Sequence, residues 1–163
     1  MEREQIVDAV RDWLDNDDWR YEYNAEDQIL HMGVGLKSKI KSGKFLIIFG
    51  DSSYTVYLIA PLNGDPENIS ELGKFMTMAN YGLRNGNFEL DLNDGEIRYK
   101  VYVNCEGLDE LPEPIIRDSI YVGCFMMDRY GDGIAALSLG FSDADTEIKK
   151  AEAPEEDTDS SAE

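Results

Sequence analysis

The chain has 163 residues, 42% apolar and 10% aromatic, which is the size and composition of one packed globular domain and excludes a disordered, fibrous or disulfide-stapled chain. Its 34 acidic against 15 basic side chains leave a formal charge of -19. Such a charge disfavours nucleic acid and anionic membrane surfaces as partners, because phosphate binding needs clustered Lys and Arg.

The acidity is concentrated but not confined at one end. Residues 143–163 hold nine acids against Lys149 and Lys150, and residues 1–142 carry the other -12. Met1 to Gln5 is charged and lacks the apolar stretch of a secretory signal. The longest apolar runs, Phe45–Phe49 and Ile120–Met127, fall short of the ~20 residues a membrane span requires. These features lead to the expectation of a cytoplasmic chain. Cys105 and Cys124 lack zinc-site spacing and are expected as free core or near-core thiols.

Ile6, Val7, Val10, Trp13 and Leu14 recur at helical spacing opposite Asp8, Arg11, Asp12 and Asp15, predicting a helix from Glu2 to Asn16. From Trp19 to Leu62 the pattern becomes alternating or continuously apolar, with possible strands at Arg20–Tyr23, Ile29–Leu36, Lys44–Gly50 and Tyr54–Ala60. Asp51-Ser52-Ser53 is short enough to force an antiparallel hairpin. Asp65-Pro66 predicts the cap and first turn of a second helix, carried by Ile69, Leu72, Met76, Ala79 and Leu83 and ended by Asn85-Gly86.

A strand at Asn87–Asp91, a turn at Asn93-Asp94-Gly95 and a strand at Glu96–Val103 form the clearest local pattern in the chain. A third helix starts near Pro112 and Pro114, with one apolar row of Ile116, Ile120, Gly123, Met127 and Tyr130 and a second of Ile115, Val122 and Met126. Gly131-Asp132-Gly133 is expected to break or kink it before a last apolar segment, Ile134–Phe141. Residues 143–163 lose periodicity and are expected to be a disordered acidic tail, placing the domain at residues 1–142.

Several constellations invite chemistry. Asp128, Asp132 and Gly133 match three positions of a calcium loop, but Tyr130 and Leu139 stand where ligands are required. Gly33-Val34-Gly35 lacks the third glycine of a dinucleotide fingerprint and predicts a bulge or bend in a strand. Lys37, Lys39, Lys41 and Lys44 form an island of positive charge, read as a solvated hairpin end or a dock for a phosphate or acidic segment. His31 is the only histidine, and no local signature couples it to either cysteine. No catalytic, metal or cofactor site is predicted.

The run Asn80-Tyr81-Gly82-Leu83-Arg84-Asn85-Gly86-Asn87-Phe88-Glu89-Leu90-Asp91, followed by Asp94-Gly95-Glu96-Ile97-Arg98-Tyr99 and later by Ile116, Ile120, Met127 and Tyr130, resembles the YbjN-domain family of bacterial sensory transduction regulators. The resemblance covers about residues 1 to 140. It implies an α+β fold like that of type III secretion chaperones: an antiparallel sheet with helices mainly on one face, in the order α-β-β-β-α-β-β-α. It further implies a non-enzymatic protein-binding or chaperone-like module, often dimeric, and assigns no catalytic residue.

Phe75, Met78, Tyr81, Met126 and Tyr130 are the candidate contacts for a protein or peptide partner, by analogy with the adaptable Met and aromatic surfaces of promiscuous binders. A homodimer is the alternative occupant of such a surface. Two rival readings are an acidic decoy for basic or nucleic-acid-binding proteins and an enzyme of unrecognised type.

Overall fold

A computed structural model describes residues 1–154. Helix α1 (Arg3–Asn16) opens with Glu2 N donating to Gln5 Oε1 at 2.9 Å and closes where Asp18 adopts a φ of 57° and Trp19 N donates to Leu14 O at 2.9 Å. Strands β1 (Tyr21–Asn24), β2 (Ile29–Gly35), β3 (Ser42–Phe49) and β4 (Ser53–Ile59) follow as an antiparallel meander. Helix α2 (Ile69–Asn80) crosses to the edge strand β5 (Asn87–Leu90), and β6 (Ile97–Asn104) returns between β5 and β4. Helices α3 (Glu113–Ser138) and α4 (Ala144–Glu152) complete the described residues.

The fold is therefore α+β with a six-stranded antiparallel sheet in the order β1-β2-β3-β4-β6-β5. The expected element order holds, extended by one further strand in the meander and by α4. One sheet face supplies the core. Leu30, Ile47, Val56 and Val101 lie side by side across four strands, and Met32, Phe45, Leu58, Tyr99 and Phe88 form the next row across five. The stripes of α1 and α3 seal these rows. Tyr54, Tyr99, Phe45 and Phe75 are among the largest fully buried side chains, each worth roughly 1.5–3 kcal/mol of transfer free energy.

Four expectations are corrected. Helix α3 runs unbroken through Gly131-Asp132-Gly133. The two glycines mark close approaches instead: a Cβ on Gly131 would stand 2.4 Å from Ser38 Oγ, and one on Gly133 would stand 2.7 Å from Phe75 Cζ and 3.1 Å from Glu147 Cβ. Pairing of β2 with β3 runs through Gly33 and Gly35 without a bulge.

Helix α2 starts later than Asp65-Pro66, after Asn68, because Asp65 Oδ1 accepts from Glu67 N at 2.9 Å and closes a turn first. Residues 144–152, expected within a disordered tail, form α4: Asp143 Oδ1 accepts from Thr146 N at 2.9 Å, and Ala144 and Ile148 are buried. The domain thus extends past residue 142, and the remainder of that expected tail, residues 155–163, lies outside the described residues.

Candidate protein-binding surfaces

Three of the five candidate contact residues belong to the core. Phe75, Met126 and Tyr130 are 0%, 5% and 2% exposed, so they offer nothing to a partner in this conformation. The reason is an edge-on aromatic chain. Phe75 meets Tyr130 at 6.0 Å, Tyr130 meets Phe88 at 5.5 Å and Phe88 meets Tyr99 at 4.9 Å, which locks α2, α3, β5 and β6 together. Met78 is half-buried. Tyr81 alone is open, at 92% exposure, beyond the end of α2.

The sheet face turned away from the helices offers a broader surface. Its alternate residues include Ile29, Leu46, Ile48, Tyr57, Ile59 and Tyr102, placed on one side by the pairings His31↔Leu46↔Tyr57 and Ile29↔Ile48↔Thr55↔Tyr102. Ile48 is 38% and Tyr102 61% exposed, and the others are half-buried by their cross-strand neighbours. The signal was in the sequence: Ile29–Leu36, Lys44–Gly50 and Tyr54–Ala60 are apolar on both alternations, where a strand with one wet face should show polar residues at every second position.

Three of the charges on this face pair with one another. Glu89 accepts from Arg98 Nε at 2.8 Å and from Lys100 Nζ at 3.1 Å, and Arg98 lies over the Tyr57 ring at 4.3 Å. Partial burial of Glu89 works against its charge, but the hydrogen bonds from Arg98 and Lys100 prevail and hold its carboxyl below the ordinary value. With Lys44, Arg98 and Lys100 against Glu22 and Glu89, the face is close to neutral in a chain of charge -19.

Lys37, Lys39 and Lys41 lie in the β2–β3 connection, which is clamped on α3, whereas Lys44 lies in β3. Asp128 Oδ1 accepts from Lys37 N at 2.6 Å and Ser38 N at 3.1 Å, and one turn on, Asp132 Oδ1 accepts from Lys39 N at 2.8 Å. Ser38 Oγ donates to Met127 O at 3.0 Å. Two acids that sequence spacing places in a partial calcium loop therefore cap loop amides. Among the described residues, no group of three or more His, Cys, Asp or Glu side chains is arranged to hold a metal ion.

His31 lies on the open sheet face, on the opposite side of the sheet from α3 and Cys124. Burial, with a contribution from Asp128, pushes the Cys124 thiol up to about 11, and burial likewise raises that of Cys105. Neither thiol is primed as a nucleophile. Among the described residues, no helix is long and apolar enough to cross a membrane.

No curated protein matches the chain. Among solved structures, the chain is similar to YbjN from E. coli, described as "a putative transcription regulator". The TM-score is 0.59 and the identity 14%, over 78% of this chain and 93% of that one. This likeness shows the fold. The model of the YbjN family, "putative bacterial sensory transduction regulator", matches residues 7–110, which span most of α1, the whole sheet and α2. The chain belongs to the YbjN family.

Proposed function

We propose that the chain is a non-catalytic regulatory module that binds a different protein by covering its open sheet face with that partner's apolar side chains. The observation carrying this reading is the row Ile29, Leu46, Ile48, Tyr57 and Tyr102 on the face that, among the described residues, no helix seals. Such a patch in a chain otherwise dominated by acid marks a contact surface. The charge distribution selects the partner. A strongly basic protein is drawn to the acidic remainder of the surface, whereas the near-neutral sheet face suits an apolar segment with few charges. The family's regulatory description fits a protein that acts by association. The neighbour's description as a transcription regulator would extend to this chain through a protein contact, because its charge opposes direct DNA binding.

Salt separates this reading from an acidic decoy. Binding through the open face should persist between 0.15 M and 1 M salt and weaken at least about 30-fold in Ile48→Glu, the scale of a central contact residue. Binding that collapses in high salt and ignores Ile48→Glu would overturn the reading.

A further inference from the structure

A cleft of about 500 Å³ lies between the lysine-bearing loop that joins β2 to β3, α3 and α4. Its walls are fixed by contacts across the chain. Asp128 and Asp132 hold the loop amides on α3, Gly131 and Gly133 leave room for Ser38 and Glu147 to come close, and Glu147 accepts from Ser142 Oγ and Lys150 Nζ, both at 2.6 Å. Every wall supplies a cation: Lys37 and Lys39 from the loop, Arg129 from α3 and Lys150 from α4. Four cations against three carboxylates make this a locally positive hollow in a chain of charge -19.

The carboxylates are engaged by the fold, but the cations are not all engaged by the carboxylates. Lys150 is held by Glu147, and Lys39 reaches Asp132 at 3.7 Å. Lys37 and Arg129 form no ion pair among the described residues. Arg129 spends Nε on Ala151 O at 3.0 Å, which ties its side chain to α4 and leaves both terminal nitrogens to donate elsewhere. Phe141, 80% exposed, lines the same cleft and sets a bare aromatic ring beside these charges.

A planar guanidinium and a neighbouring ammonium match the oxygens of one phosphate or carboxylate, and an aromatic face takes a planar body by stacking. A cleft of this size suits a small ligand. Size also reconciles an anion with so acidic a chain. A small anion stays in the cleft, where the cations lie within the Debye length of about 8 Å, whereas a nucleic acid or an acidic protein would run on over the carboxylates outside. We propose that the cleft binds a small organic anion, with its phosphate or carboxylate held by Lys37 and Arg129 and its planar body against Phe141. The site stands on the helix side of the sheet, so it can fail without the open face failing, and the reverse.

Calorimetric titration of the full chain with paired probes tests this, AMP and adenosine for a phosphate, benzoate and benzamide for a carboxylate. At least one anion should bind with a Kd of about 1 mM or tighter and at least about tenfold tighter than its uncharged counterpart, and the anion that does so identifies the acidic group. Lys37→Ala and Arg129→Gln should each weaken that anion at least about fivefold, and Phe141→Ala should do the same through loss of the stacked ring. Lys44→Ala, outside the cleft, should leave binding unchanged. No binding by either anion at that level, equal binding by the uncharged counterpart, an effect of Lys44→Ala as large as that of Lys37→Ala, or unchanged binding by Phe141→Ala would each overturn the proposal.

Discussion

The side-chain amide of Asn80 makes both outward backbone hydrogen bonds of Phe88: Oδ1 accepts from Phe88 N at 2.7 Å and Nδ2 donates to Phe88 O at 3.0 Å. Asn80 is the last residue of α2 and Phe88 lies in the edge strand β5, so one side chain stands in for a missing neighbouring strand. It also occupies an edge that would otherwise be open to another chain. The run from Asn80 to Leu90 is thus a physical unit: a helix end that pins the strand it leads into, with Phe88 anchored between Tyr99 and Tyr130.

Asn80→Ala should therefore destabilise the fold by about 1–3 kcal/mol, since it orphans Phe88 N in a half-buried place and leaves Phe88 O only the Asn87 Nδ2 donor at 3.2 Å. Urea unfolding should show a lower midpoint at an unchanged slope. A midpoint equal to that of the unaltered chain would show that water replaces the amide freely.

Gly131 and Gly73 make a matched pair. Both lie inside helices, where Gly→Ala ordinarily stabilises by about 1 kcal/mol. A Cβ on Gly73 meets only Leu90 Cδ2 at 4.0 Å, so Gly73→Ala should raise the unfolding midpoint. On Gly131 it would stand 2.8 Å from Ser38 Cβ and 3.2 Å from Ile40 Cγ1, so Gly131→Ala should lower stability by about 1–3 kcal/mol as the lysine loop is pushed off α3. The opposite signs, measured by thermal unfolding, separate close approach from helix breaking.

Glu147 ties α4 to its own carboxyl-terminal turn and lies under α3. Burial opposes its charge, but hydrogen bonds from Lys150 and Ser142 outweigh that and hold its carboxyl below the ordinary value. A depressed carboxyl contributes stability that is present above its unfolded value and is lost as pH falls through the folded one. The unaltered chain should therefore lose stability on acidification from the ordinary Glu value, about 4.3, downward. In Glu147→Gln that part of the loss should vanish, which a comparison of unfolding midpoints between pH 6 and pH 3 will show. Parallel curves for the two chains would contradict the assignment.

The sequence showed most of the architecture, and its errors have two physical sources. Periodicity located α1, the strands and the β5–β6 hairpin because each has one buried side, which is what spacing reports. It missed α4 because Ala144 and Ile148 are few among acids, and the helix is held by tertiary contacts: Glu71 Oε2 accepts from Ala144 N at 2.7 Å and Lys74 pairs with Asp145. The Gly-Asp-Gly sequence in α3 could not reveal itself as a pair of close approaches, since Ser38 and Phe75 are remote in the chain.

The candidate contact residues fared worse for a related reason. Phe75, Met126 and Tyr130 have the composition of a binding surface and the burial of a core, and composition cannot tell the two apart. The doubly apolar strands held the better clue, because a strand apolar on both sides needs two covers and the helices supply one.

Photo-cross-linking in cells tests the central claim most directly. A benzophenone side chain placed at position 48 or 102, on the open sheet face, should yield one and the same protein adduct, and the same group in place of Tyr81 or Leu92, exposed beyond the ends of α2 and β5, should not. No adduct from the sheet positions, an adduct only with a second copy of this chain, or the same adduct from all four positions would contradict the account.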